Sequence, residues 1–171
     1  MKDRFLEIPA RINKTVQILD EIADRLNRFE EELIPKLGKN TDSVLIPVQL
    51  LENGYTAVET LFLRISQTFE NSLDAPRWHA HLLDKMTLEI PGIRPRVISE
   101  TLYKKLSELL RFRHFKRYYF ELDYDWRKID LLIAIFRESL PLLKYELGDF
   151  SKKIELAAAD TPASDRTDPE P

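Results

Sequence analysis

Hydrophobic residues recur at intervals of three and four positions over several long stretches of the chain, a spacing typical of amphipathic α-helices. Four long helices and one short helix are predicted, over residues 8–37, a stretch after Pro47 that ends near 69, the short 77–86, 100–119, and 126 to about 154. No stretch alternates in the way that strands do. The pattern therefore predicts an all-α protein built as an antiparallel helical bundle.

Two segments break the helical pattern. Residues 87–95 contain Pro91, Gly92 and Pro95, so they are predicted to be irregular. From Ala157 onward the chain is rich in alanine, proline and aspartate, which is typical of disorder. We therefore expect one helical domain over 1–156 and a disordered acidic tail over 157–171.

The predicted helix over 100–119 changes character halfway along. Its first half carries an apolar stripe, formed by Leu102, Leu106, Leu109 and Leu110. At about 100° per residue the same stripe continues onto Arg113 and Arg117. Burying a guanidinium without an anion costs several kcal/mol, so these arginines need a partner. That partner is either a carboxylate of the chain or a phosphate from outside.

Glu59 is a candidate for this carboxylate. It lies one helical turn from Tyr55 and from Phe62, at the edge of the apolar stripe of the second helix. It either pairs with Arg113 or Arg117 inside the bundle or reaches solvent at the edge. A purely structural ion-pair network is therefore one interpretation of the two arginines.

The second half of the same helix concentrates groups that suit RNA chemistry. Its cations are interleaved with one histidine and several rings: Arg111, Phe112, Arg113, His114, Phe115, Lys116, Arg117, Tyr118 and Tyr119. Histidine transfers protons near neutral pH, arginine holds two phosphate oxygens at once, and aromatic rings stack on unpaired bases. The formal charge of the whole chain is −3, so any basic site is local.

Composition excludes several other kinds of site. The chain has no cysteine, which excludes disulfides, thiolate metal ligands and a cysteine nucleophile. His79 and His81 are two residues apart, the wrong spacing for one helical face, so no metal site is expected. There is no glycine-rich phosphate loop, and no cofactor is expected. No apolar run approaches a membrane span and no signal peptide opens the chain, so a cytoplasmic location is expected.

Two runs of sequence resemble a known family. The segment from Leu109 to Trp126 contains Arg-Phe-Arg-His-Phe-Lys-Arg followed by tyrosine and Glu-Leu-Asp, and the segment from Trp78 to Ser99 contains Met-Thr-Leu-Glu-Ile-Pro-Gly-Ile-Arg-Pro. In this order they resemble HepT-like proteins of the HEPN superfamily, which includes many ribonuclease toxins. A weaker likeness extends back to Glu52.

The resemblance implies a fold, a function and partners. The fold would be a HEPN-like antiparallel bundle. The function would be that of the HepT-like toxin component of a type II toxin–antitoxin module, a metal-independent endoribonuclease acting on RNA. The protein would form a homodimer and pair with a nucleotidyltransferase antitoxin.

The candidate site residues fall into three groups. Catalysis is assigned to His114, Arg113 and Arg117. RNA binding is assigned to Arg111, Lys116, Arg94 and Arg96. The resemblance also makes Tyr118 and Tyr119 candidates for nucleotidylation by the antitoxin.

The chain departs from the ribonuclease pattern at one position. In ribonuclease members of the superfamily an arginine is followed several residues later by a histidine. Counted from Arg113, the position expected to hold that histidine holds Tyr118. The alternative function is therefore a catalytically degenerate HEPN protein that acts as an interaction or nucleotide-binding partner of a nucleotidyltransferase.

Overall fold

The computed structural model describes residues 2–70, 78–119 and 124–159, with side chains over 7–70, 81–116 and 124–157. The elements are α1 (Lys2–Arg28), a π-helical turn (Phe29–Leu33), α2 (Ile34–Leu37), α3 (Leu45–Glu70), α4 (Trp78–Lys85), α5 (Glu100–Tyr119) and α6 (Trp126–Ala159). These ranges contain no β-strand. The prediction of an all-α bundle is confirmed.

The four long helices pack as a ring in which α3 lies between α1 and α5. Helix α1 packs on α3 and α6, while α5 packs on α6, α3 and the short α4. Salt bridges from Lys144 to Asp20 and from Arg137 to Glu30 join α6 to the α1 side. Lys144 follows Arg137 along α6, whereas its partner Asp20 precedes Glu30 along the first helical segment. The two helices therefore run antiparallel.

The first helical segment differs from the single helix predicted over 8–37. It begins at Lys2, and a π-helical turn interrupts it at Phe29–Leu33. A π turn adds one residue to a helical turn and so rotates the residues that follow. Here Phe29 is buried and its ring stacks on Trp126, with 6.2 Å between ring centroids. The periodicity of the sequence did not indicate this turn.

The connection between α4 and α5 is irregular, as predicted. Ile90 and Arg94 form an isolated antiparallel bridge, and Gly92 between them has a φ of 73°, which favours glycine. The Met86 carbonyl accepts the amides of Val97 and Ile98, at 3.0 and 3.1 Å. These bonds bring the chain back to the start of α5.

Helix α6 continues through Ala159 and so includes the first three residues of the predicted tail. The rest of that tail, residues 160–171, lies outside the described residues. Within the part of the chain that the structure describes, no helix is both long enough and apolar enough to span a bilayer.

Two helical glycines offer a test of core packing. A Cβ on Gly54 in α3 would lie 2.9 Å from Cε2 of the buried Phe136 ring, whereas one on Gly148 in α6 would meet nothing within 4 Å. Alanine at Gly148 should raise the free energy of unfolding by about 0.5–1 kcal/mol. Alanine at Gly54 should lower it, since overpacking a core costs roughly 1–3 kcal/mol. Urea unfolding of both variants checks this, and equal stabilisation would contradict the close approach.

Candidate functional site

Helix α5 divides into an apolar half and a polar half. At its start the Ser99 hydroxyl accepts the amide of Leu102 at 3.2 Å, which caps the helix. The amide of Ser99 itself donates to a carboxylate oxygen of Glu146 on α6, at 2.7 Å. The stripe of four leucines at 102, 106, 109 and 110 is buried, as expected from its spacing. These contacts fix where the polar half begins.

The first arginine on this stripe is buried in the bundle. Arg113 forms a salt bridge to Glu59 on α3, with 2.6 Å between Nη1 and Oε2, and both side chains are 6% exposed. The interpretation of Glu59 as an internal partner of Arg113 therefore matches the geometry. An external phosphate is not needed to neutralise Arg113.

A tyrosine completes this buried cluster. The guanidinium carbon of Arg113 lies 5.9 Å from the ring centroid of Tyr55, within the range of a cation–π contact. Burial raises the pKa of the Tyr55 hydroxyl above its usual value, and the nearby Glu59 carboxylate raises it further, while Arg113 opposes both. Tyr55 therefore stays neutral, and the cluster holds one cation and one anion. Among the described residues, the buried Nε of Arg113 meets no hydrogen-bond acceptor.

Lys116 lies one turn after Arg113 and is also held by α3. Its ammonium contacts the Glu52 carboxylate and donates to Oε1 of Gln49 at 2.8 Å. Both partners of the ion pair are 20% exposed. The predicted RNA-binding lysine thus has a carboxylate beside it, a partner that sequence reasoning missed. The sequence contained this signal, because Gln49 and Glu52 lie on one face of α3, about three and two turns before Glu59.

The remaining described groups of this half lie nearer to solvent. Arg111 is exposed and pairs with Glu108, one turn earlier on α5, at 2.7 Å. His114 is half-buried, and Phe115 is 38% exposed. Phe112 packs edge-on against Tyr124, with 6.2 Å between ring centroids. The polar half of α5 therefore presents a cation, an imidazole and a ring at one end of the bundle.

The role expected for Arg94 does not fit its geometry. Its side chain is fully buried, and its guanidinium donates to Glu70 at 2.7 Å and to the carbonyls of Lys85 and Leu88, at 2.8 and 3.0 Å. These contacts join the irregular connection to α3, and the buried guanidinium is already held by one carboxylate and two carbonyls. Arg96, by contrast, is exposed.

The Glu70 carboxyl is stabilised as an anion by the same contacts. Burial alone would raise its pKa, but hydrogen bonds from Lys85 and Arg94 outweigh burial and lower the pKa. A lowered pKa in the folded state adds stability above the pKa of the unfolded chain, and this stability is lost as the pH falls through the folded value. Glu70 and Arg94 therefore support the fold near neutral pH.

Three predicted site residues cannot be placed in detail. Arg117, Tyr118 and Tyr119 form the last turn of α5, and their side chains lie outside the described part. Of the two histidines considered and set aside as metal ligands, His81 on α4 is exposed and the side chain of His79 is not described. Among the described residues, no three His, Asp or Glu side chains meet as a metal site.

The chain matches a known protein family over most of its length. Residues 47–154 match the sequence model of the family described as HepT-like protein. This match covers α3 through most of α6, and so includes Glu59, Arg113 and the whole of α5. No curated protein matches the chain.

The buried pair should carry a large part of the stability. Glu59→Gln would leave the Arg113 charge buried opposite a neutral amide, so we expect a loss of roughly 3–5 kcal/mol in the free energy of unfolding. Glu108→Gln makes the same change at the exposed pair of Arg111 and should cost less than about 1 kcal/mol.

Urea unfolding of the two variants measures this difference, and similar losses would refute it. Replacing both Glu59 and Arg113 by leucine should recover much of the stability, because no buried charge is then left without a partner of opposite charge.

Proposed function

Because the chain belongs to the HepT-like protein family, we propose that it is a HEPN-type toxin that cleaves RNA at the basic end of α5 without a metal ion. The observation that supports this most is the arrangement of α5 itself. Arg113 faces inward onto Glu59, and this holds Arg111, His114 and Phe115 toward the surface at one end of the bundle.

His114 is the proposed proton acceptor. It removes the proton of a ribose 2′-hydroxyl, whose oxygen then attacks the adjacent phosphorus and displaces the 5′-oxygen of the next nucleotide. A second group, acting as the general acid, gives a proton to the departing 5′-oxygen, so the products are a 2′,3′-cyclic phosphate and a free 5′-hydroxyl. Imidazole suits this transfer near neutral pH, and such catalysis contributes roughly 100- to 10,000-fold in rate.

The arginines divide into two roles in this proposal. Arg111 and Arg117 bind the oxygens of the scissile phosphate and stabilise the charge that develops on them. Arg113 was predicted to share that task, but its guanidinium already neutralises the charge of Glu59. We therefore assign Arg113 a positioning role, in which it sets the rotation of α5 and so the place of His114. Arg96 and the Phe115 ring are assigned to the flanking nucleotides.

A second candidate function is favoured by specific observations. The buried arginine and Lys116 are both matched by carboxylates of α3, and Tyr118 stands where ribonuclease relatives have histidine. A degenerate HEPN protein that binds a nucleotidyltransferase or its nucleotide, and does not cut RNA, would tolerate all three features. In the first function His114 accepts a proton during RNA cleavage, and in the second function it does not.

The partners expected from the family are part of the same proposal. A nucleotidyltransferase antitoxin would act on Tyr118 or Tyr119, and the added phosphate would place negative charge beside Arg117 and block the site. The homodimer and the cytoplasmic location stay predictions.

His114→Gln should abolish RNA cleavage and any growth inhibition, because the amide cannot accept a proton near neutral pH. The matched control is His81→Gln, which makes the same change at an exposed histidine of α4 and should cleave normally. Cleavage of unstructured RNA in EDTA, with detection of the cyclic phosphate, is the measurement. Normal cleavage by His114→Gln would refute the assignment, and no cleavage by the unsubstituted protein would leave the binding function.

If a nucleotidyltransferase is encoded by a gene beside that of this protein, incubation with it and ATP should add the mass of a nucleotide to the intact protein. The shift should disappear in the variant with phenylalanine at both Tyr118 and Tyr119 and persist when the exposed Tyr145 is replaced instead. Intact-mass spectrometry reads both results. An unchanged mass of the unsubstituted protein would rule out modification by that partner.

A further inference from the structure

A groove on the opposite side of α3 from α5 has no role in the function proposed above. It lies between α1 and α3 and has a volume of about 440 Å³, within the range of roughly 300–1,000 Å³ found for ligand clefts. Its lining includes three cations and four uncharged hydrogen-bonding side chains: Arg11, Lys14, Arg64, Thr15, Asn53, Thr56 and Thr60.

The charge of this groove is not balanced. None of its lining residues is a carboxylate. Arg11 pairs with Glu7 at 2.5 Å, but within the described residues Arg64 bonds the neutral side chain of Gln67, at 3.0 Å, and Lys14 has no ion pair. Lys14 and Arg64 are both exposed. In a chain with a formal charge of −3, this is a local concentration of positive charge.

The groove is connected to the basic end of α5 through two hydrogen bonds. Lys116 donates to Gln49 at 2.8 Å, and the amide of Gln49 donates to Oδ1 of Asn53 at 2.9 Å. Asn53 is itself part of the groove lining. A polar surface therefore runs from the candidate site across the first half of α3 and into the groove.

The chemical character and the length of the groove indicate which class of molecule could bind. Ile18 is the one exposed large apolar residue of the lining, at 38%, while Leu61 is buried at 2%. Much of the exposed surface of the groove is apolar, so the choice of occupant rests on its charge, which is positive and suits an anionic chain. The residues from Asn53 to Arg64 rise about 16 Å along α3, which is long enough for more than one phosphate. The cations and the hydrogen-bonding side chains are the groups of this lining that could contact a phosphate backbone.

We propose that the groove between α1 and α3 binds the phosphate backbone of single-stranded RNA, with Lys14 and Arg64 as phosphate contacts. The strand would continue past Asn53 and Gln49 to the basic end of α5. This inference extends the proposed RNA function, since it names where the strand runs beyond the site of cleavage. The groove does not depend on His114, so binding there is separable from cleavage.

The test uses a fluorescent single-stranded RNA whose 2′-hydroxyls are methylated, so that it binds without being cut. Removing one phosphate-binding cation should flatten the slope of log K against log salt by roughly 0.7. The full-length variant with glutamine at both Lys14 and Arg64 should therefore have a slope smaller by about 1.4. The matched control places glutamine at Lys128 and Lys152, two exposed lysines of α6, and should keep the original slope.

Separate cleavage of unmodified RNA distinguishes the groove from the proposed reaction. If the groove variant has the smaller slope but the unsubstituted protein never cleaves, the groove is supported and the nuclease proposal fails. If the protein cleaves RNA and the groove variant keeps its slope, the groove proposal alone is overturned. Absence of salt-dependent RNA binding also overturns it.

Two further results would assign the groove to another occupant. A groove variant that becomes monomeric by light scattering, with unchanged RNA affinity per protomer, would make the groove a contact between copies. Binding of a polyglutamate peptide that depends on Lys14 and Arg64, with no such dependence for RNA, would make it a site for an acidic protein segment. Either result overturns the proposal.

Discussion

The buried contact between Arg113 and Glu59 is the constraint on which the candidate site depends. A guanidinium that is 6% exposed must be matched by an anion, and the observed rotation of α5 brings Arg113 to Glu59. A shift of one residue would turn α5 by about 100°, which would expose Arg113 and leave the Glu59 carboxylate buried without its cation. The leucine stripe selects the buried face of α5, while the ion pair selects the register against α3.

Local features of this arrangement could be predicted from the sequence, and long-range ones could not. The bounds of α5 follow from Ser99 as a cap and from the leucine periodicity, because both are encoded within a few residues. The burial of Arg113 follows from the same periodicity. Whether its partner was Glu59 or an external phosphate could not be decided, since that depends on the distance between α3 and α5. The π-helical turn at Phe29 was also missed, since the periodicity of the sequence did not indicate it.

The interpretation of the cations was less reliable, and Arg94 shows why. In the sequence it is one of two arginines around a proline and looks available to a ligand. In the structure its donors are used by Glu70 and by backbone carbonyls of Lys85 and Leu88, acceptors that no side-chain pattern reveals. The groove of Lys14 and Arg64 is the converse case. Its cations come from two helices, and no carboxylate of the lining balances them. Which side chains line the groove depends on how the two helices pack, so the sequence does not reveal it.

In the proposed reaction, these neutralised cations leave fewer groups to bind the scissile phosphate. Metal-free RNA cleavage needs one group to accept a proton and another to donate one. His114 is the one histidine on α5, and a phenol in water ordinarily keeps its proton at neutral pH. Such a group can donate a proton but is poorly suited to accept one. Tyrosine at the position of the expected histidine would thus fix the direction of proton transfer, with His114 as the base, rather than remove the reaction. Tyrosine would be a weaker acid than histidine, and fewer cations would contact the phosphate. Binding of the RNA would then depend more on Arg111, Arg117 and any contacts farther along the RNA strand.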